Sequence, residues 1–328
     1  MVGRGRMGYP SAVASESRTT VLIAAGANLV IAVAKFVAGA LSGSPAILAE
    51  GAHSVADTFN QGFLLISLER GKRPPDEEHP FGYGKERFFW AFVASMGILV
   101  LGAGFSFLQG IGGLVSEASE TSAGYVASYI VLAVAAVAEG SSWLRALRQT
   151  RGEAKRRGRG FREHVRESTD PTVKTVLFED SAALVGVGIA LAGIGLSQLT
   201  GIEAFDPIAS ILIGALLTVI AFRLGQNAKD LLLGVAARGE IRERIEDAIR
   251  EDPRVERVVE ILTMVLGPSS LLVAARVALD DDLDGDGAEQ AAEEIDARVR
   301  KAVPSVSHFF LDPTPPSEAE GKGSAPGG

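Results

Sequence analysis

The 328-residue sequence contains no cysteine, which excludes disulfide bonds and thiolate metal sites. It also lacks a basic excess in its last third. Residues 238 to 315 hold 10 Lys and Arg against 18 Asp and Glu, whereas residues 1 to 237 hold 21 against 20. The formal charge of −8 therefore belongs to the C-terminal region, and an acidic domain argues against nucleic acid as a partner. Met1 to Arg18 is polar, without the apolar core of a signal peptide, so no cleaved signal is expected. Residues 1–17 are expected to form a disordered N-terminus, and the Pro-, Ser-, Glu- and Gly-rich residues 315–328 a disordered tail.

What the sequence does have is segregated apolar residues: 47% are hydrophobic although 22% are charged. Long uncharged blocks fill the first 225 positions. A hydrocarbon core of about 30 Å needs roughly 20 helical residues, and six stretches meet that length. They run from Thr20 to Leu41, Pro45 to Leu68, Phe88 to Gly112, Gly124 to Leu144, Thr172 to Gln198 and Phe205 to Leu224. The connections after the first, third and fifth contain no Lys or Arg, while ten basic residues lie between Arg145 and Lys174 alone. The positive-inside rule then puts both termini in the cytoplasm. The reading is an α-helical, multi-pass membrane protein with the lipid bilayer as a partner, and a bacterial plasma membrane is the expected location.

From Arg238 the pattern changes. Glu240 to Glu251 reads as an amphipathic helix, Val255 to Leu266 and Ser270 to Leu279 as strands, Gly287 to Val303 as a helix and Ser307 to Leu311 as a last strand. This αββαβ order predicts a small α+β cytoplasmic domain whose exposed sheet face or edges suit dimerisation. The expected domains are residues 18–228 for the six-helix part and 229–314 for the cytoplasmic part.

Inside the second span, His53 and Asp57 stand one helical turn apart and share a face. At about 1.5 Å per residue they lie roughly 12 and 18 Å from the outer end of that helix. Asp180 on the fifth span comes out at about 16 to 18 Å, with Glu179 beside it. A carboxylate within the bilayer costs roughly 2.5 to 3.5 kcal/mol on insertion scales, so several at one depth imply a divalent cation that offsets them. Glu139 is placed deeper, at roughly 22 Å, as a pathway carboxylate or a partner for a basic residue. Lys35 is expected to snorkel along the first helix.

Weaker signals lie elsewhere. Asp282 to Glu293 has the spacing of a calcium loop, but an acidic, capped helix start explains it more simply. Asp76 with His79 makes a sparse pair, His164 sits in the basic loop, and His308 stands alone on a strand.

The run Gly43-Ser-Pro-Ala-Ile-Leu-Ala-Glu-Gly-Ala-His-Ser-Val-Ala-Asp57 resembles the second-helix signature of the cation diffusion facilitator family. Two further stretches resemble that family: Arg73-Pro-Pro-Asp-Glu-Glu-His-Pro-Phe-Gly-Tyr-Gly-Lys-Glu86 and Asp206-Pro-Ile-Ala-Ser210. The resemblance covers about residues 18 to 314. It implies export or compartmental loading of divalent cations, most often zinc, by proton exchange. It further implies a homodimer with a ferredoxin-like cytoplasmic domain, no prosthetic group, and a cycle between inward-open and outward-open states. The metal set implied is His53, Asp57, Asp180 and Glu179. Val176 occupies the position where zinc members place a fourth ligand, leaving Glu179, Glu139 or water for that role. Glu179-Asp180 resembles the branch typified by zinc transporter nine. Tyr83 replaces a His that some bacterial relatives carry four positions after His79.

One imidazole and two or three carboxylates suit zinc in a tetrahedral set, with manganese, cobalt and iron as alternatives. A membrane-embedded sensor or scaffold that binds without transport is a second reading. An intramembrane metallohydrolase would need a second catalytic His or a distinct base-and-water arrangement, and neither is present, so no enzyme activity is expected.

Overall fold

Each membrane helix turns apolar side chains outward and polar ones inward, the reverse of a water-soluble protein. On α1 (Arg18–Ser42) Leu29, Val33, Val37 and Leu41 recur every four residues and are all exposed, whereas Lys35 is wholly buried. The computed structural model describes residues 18–115, 122–156, 158, 160–162, 165, 171–280 and 282–314. The two terminal segments read as disordered, and His164, lie outside the described residues.

After α1 come α2 (Pro45–Arg70), α3 (Glu86–Val115), α4 (Ser122–Arg156), α5 (Pro171–Thr200) and α6 (Phe205–Leu233). Five of them, α1, α3, α4, α5 and α6, are long and apolar enough to cross a membrane. The sixth, α2, falls short because it carries Glu50, His53 and Asp57 within its length. Helix α4 runs twelve residues past the predicted end at Leu144, and α6 nine past Leu224. Helix α3 contains a wide π segment at Ile98–Gly104.

The residues divide into two compact units. One comprises the helices through Ile66, from Val93 to Arg166 and from Val173 to Arg223; the other comprises Ser67–Phe92 and the chain from Leu224 onward.

The second unit contains α7 (Gly239–Arg250), β1 (Val255–Gly267), β2 (Ser270–Leu279), α8 (Gly285–Ala302) and β3 (Val306–Thr314). The predicted αββαβ order is present, within two or three residues at each boundary. Strand β2 is central, antiparallel to β1 and parallel to β3. A split β-α-β arrangement would interpose a strand between the parallel pair, and the described sheet has none there. Ile245 and Ile249 of α7 and Ala291, Ile295 and Val299 of α8 recur at helical spacing and are buried in the core with Val273 and Val277 of β2. Leu262 and Phe310 remain more than half exposed.

The loop read as motif-bearing belongs to this unit. A Cβ at Gly84 would stand 2.5 Å from the Leu266 carbonyl oxygen, so only glycine allows the loop this close to β1. Phe88, predicted as the first residue of the third span, is instead fully buried in the unit's core. An aromatic residue at the edge of an apolar run fits either environment, and the sequence does not say which.

Asp252 ties α7 to α8. Its carboxylate accepts from Arg254 Nε and Nη2, both at 2.8 Å, and from Arg298 Nη2 at 3.3 Å. These bonds, Arg254 first, hold its pKa down to about 2. A depressed carboxylate stabilises the fold above the unfolded pKa, and that contribution is lost as pH falls from about 4 toward 2. Asp252→Asn is expected to cost about 2 kcal/mol at neutral pH and to flatten this acid limb. Hydrogen exchange of α7 and α8 in the full-length protein at pH 7 and pH 3 measures both.

Candidate metal centre

Helix α2 carries a polar stripe. Glu50, His53, Ser54, Asp57, Asn60 and Gln61 recur at intervals of three and four, so one side of the helix is polar through about three turns. Its start is fixed from another helix: Ser44 Oγ donates to Asp206 Oδ2 at 2.8 Å and accepts from the Ile47 N–H at 3.3 Å. Two of the sequence motifs therefore meet, with Asp206 holding the first turn of α2. Ser210, later in the same motif, donates to the Ser106 carbonyl at 2.8 Å.

His53 is 1% exposed, and neither ring nitrogen has a hydrogen-bond partner. Its Nδ1 lies 3.6 Å from Asp57 Oδ1, beyond hydrogen-bonding distance. Asp57 Oδ1 and Asp180 Oδ2 are likewise buried and unpartnered. Asp180 is within electrostatic range of Asp57, Glu139 and His53, and within hydrogen-bonding reach of Ser142. Leaving one buried polar atom unpartnered costs about 1 to 3 kcal/mol, more when it is charged. Four such atoms on three side chains mark a place built for something else.

Glu179 is engaged differently. Asn60 Nδ2 donates to both of its carboxylate oxygens, at 2.8 and 2.6 Å. The Val176 side chain lies outside the described ones. Among the described residues, no three His, Asp or Glu side chains converge closely enough to hold one ion.

Lys35 does not snorkel. It is 0% exposed, and Nζ donates to Glu50 Oε2 at 2.9 Å, Ser54 Oγ at 2.9 Å and Glu139 Oε1 at 3.1 Å. Three acceptors match the three N–H bonds of an ammonium, which removes the reason to stretch toward the interface. Glu139 is thus the partner of a basic residue, one of the roles its sequence position suggested. Glu50 escaped the sequence reading altogether. The missed signal was its place three residues before His53 and four before Ser54, on the same face of α2.

The peripheral signals are occupied by local structure. Asp76 accepts from the His79 N–H at 2.7 Å and the Tyr83 hydroxyl at 2.6 Å, and these bonds lower its pKa and raise that of Tyr83. Asp284 caps α8 by accepting from the Gly287 N–H at 2.8 Å. The His308 ring lies edge-on to Phe81 at 5.0 Å and within 3.1 Å of Ser307 Oγ.

Comparison with known proteins gives two family matches: the cation efflux transmembrane domain over residues 21–233 and the cation efflux protein cytoplasmic domain over residues 237–313. The mouse (Mus musculus) mitochondrial proton-coupled zinc antiporter SLC30A9 is 33% identical over 75% of this chain and 43% of its own length. Metal tolerance protein C4 of Arabidopsis thaliana is 33% identical over 80% of this chain and 57% of its own. The manganese efflux system protein MneP of Bacillus subtilis is 26% identical over 91% and 96%. The chain thus spans a little under half the length of the zinc antiporter. With its apolar helices, these matches make it a multi-pass membrane protein. The chain belongs to the cation efflux family.

Proposed function

We propose that this chain exports divalent cations, zinc foremost, from the cytosol in exchange for protons, through His53, Asp57 and Asp180. Glu179 is the candidate fourth ligand, with Glu139 or water as alternatives. The carrying observation is the set of buried, unpartnered donor atoms on His53, Asp57 and Asp180. A tetrahedral ion with bonds of about 2.0 to 2.2 Å keeps its ligand atoms about 3.4 Å apart. The separation of 3.6 Å between His53 Nδ1 and Asp57 Oδ1 needs little change to meet that spacing. Asp180 must swing in, and the ion supplies the attraction that draws it. For Glu179 to join, its bonds to Asn60 must be exchanged for one to the ion.

In this reading α2 is the sixth membrane span, its polar stripe facing the bundle. Both termini are cytoplasmic, the membrane is a bacterial plasma membrane, and two copies associate through residues 229–314. The half-exposed sheet face that carries Leu262 and Phe310 suits that association. The chain moves an ion and makes or breaks no covalent bond, so it is not an enzyme and carries no prosthetic group.

Ion binding must displace protons from the same groups, and that competition couples the two fluxes. Zinc added to purified protein in detergent is therefore expected to release protons, counted by calorimetry in buffers of different ionisation enthalpy. Release must vanish in Asp57→Ala; zinc binding without proton release sinks the exchange mechanism. The oxygen-rich set also favours manganese as an alternative cargo, and a manganese efflux protein is among the relatives. A binding-only sensor is separated from a transporter by flux into vesicles.

A further inference from the structure

We propose that Glu50 and Glu139, with Ser54, form a second cation station beside the transport site. The Lys35 ammonium is its resident ion, a tethered cation that keeps a second divalent ion out.

The station is built. Lys35 and Glu50 are both 0% exposed, and the ammonium is bound by both carboxylates and the Ser54 hydroxyl at 2.9 to 3.1 Å. Helix α5 makes room for it, since a Cβ at Gly186 would overlap Glu50 Oε1. The ammonium satisfies half of each carboxylate: Glu50 Oε1 and Glu139 Oε2 are buried with no partner. An ion with two charges and more than three coordination positions would engage the rest.

A buried ion pair is often no more stabilising than apolar residues of the same shape, so stability alone gives no reason for this cluster. Exclusion does. Ser54 adjoins His53 in the chain, and Asp57 lies within electrostatic range of Lys35 and Glu50. A vacant pair of carboxylates at this position would bind a cation and hold it beside the transported one. Its all-oxygen character would select a hard ion such as manganese.

The inference rests on reading His53, Asp57 and Asp180 as the transported ion's site. Full-length protein in detergent, equilibrated with manganese chloride and assayed for bound manganese by elemental analysis, tests both separately. Lys35→Gln is expected to bind one more manganese ion per chain than wild type. The extra ion should persist in Lys35→Gln/Asp57→Ala and disappear in Lys35→Gln/Glu50→Gln. Equal counts in wild type and Lys35→Gln overturn the station. If Asp57→Ala alone binds as much as wild type, the transport-site reading fails instead. Should Lys35→Gln misfold, manganese during expression must restore a monodisperse protein, because a station that accepts a divalent ion is stabilised by it. Misfolding that persists in manganese also overturns the proposal.

Discussion

Proteoliposomes carrying Asp57→Ala or Asp180→Ala are expected to lose zinc uptake driven by a pH gradient, while both variants purify as folded protein. The loss should exceed about a hundredfold, since even outer-shell partners of a metal typically account for about 10- to 100-fold. Folding should survive because each substitution removes a buried carboxylate oxygen that has no hydrogen-bond partner, so no native bond to that atom is broken. Orphaned ligands rather than structural ones are what an ion-binding site predicts. The readout is zinc entry into inverted vesicles under an imposed proton gradient, with reconstituted protein quantified in parallel. Undiminished uptake in both variants would falsify the assignment of this site.

The second large effect lies in the other unit. Phe88→Ala is expected to destabilise the unit of Ser67–Phe92 and the C-terminal domain by about 3 to 5 kcal/mol, the usual cost of truncating a fully buried phenylalanine. The ring is 0% exposed in a core shared with Ile245, Ile249, Val265 and Ile295. Native-state hydrogen exchange should show the loss in α7, α8 and the sheet, leaving α4 and α5 unchanged. An effect confined to the membrane helices would contradict the placement of Phe88.

These two residues mark what the sequence did and did not make legible. Asp57 and Asp180 stood out because a carboxylate inside an apolar run is costly and therefore rare. Helix ends were less visible: α4 continues to Arg156 because its basic second half is as helical as its apolar first half, and hydropathy stops where charge begins. Phe88 is apolar in either setting, so only its three-dimensional neighbours show that it joins the C-terminal core.

Lys35 illustrates a different limit. A lone lysine in an apolar helix has two outcomes, a reach to the interface or a buried partner. Its partners Glu50 and Glu139 are 15 and 104 residues away, and no local pattern links them. Glu179 was read beside Asp180 because the two are adjacent in the chain, yet neighbours on a helix point about 100° apart. Asn60 receives one of them and the His53 region faces the other.

The π segment at Ile98–Gly104 acts as a phase shift within α3. A wide turn holds an extra residue, and one residue is worth about 100° of rotation. Everything beyond Gly104 is thereby re-aimed by that angle without a break in the rod. The re-aimed half includes Ser106, whose carbonyl meets Ser210, and Gly110, which lies against the Pro207 backbone. The contact that anchors the Asp206 motif, and through it the first turn of α2, therefore depends on a slip of register in a helix that contributes no charged group to the site.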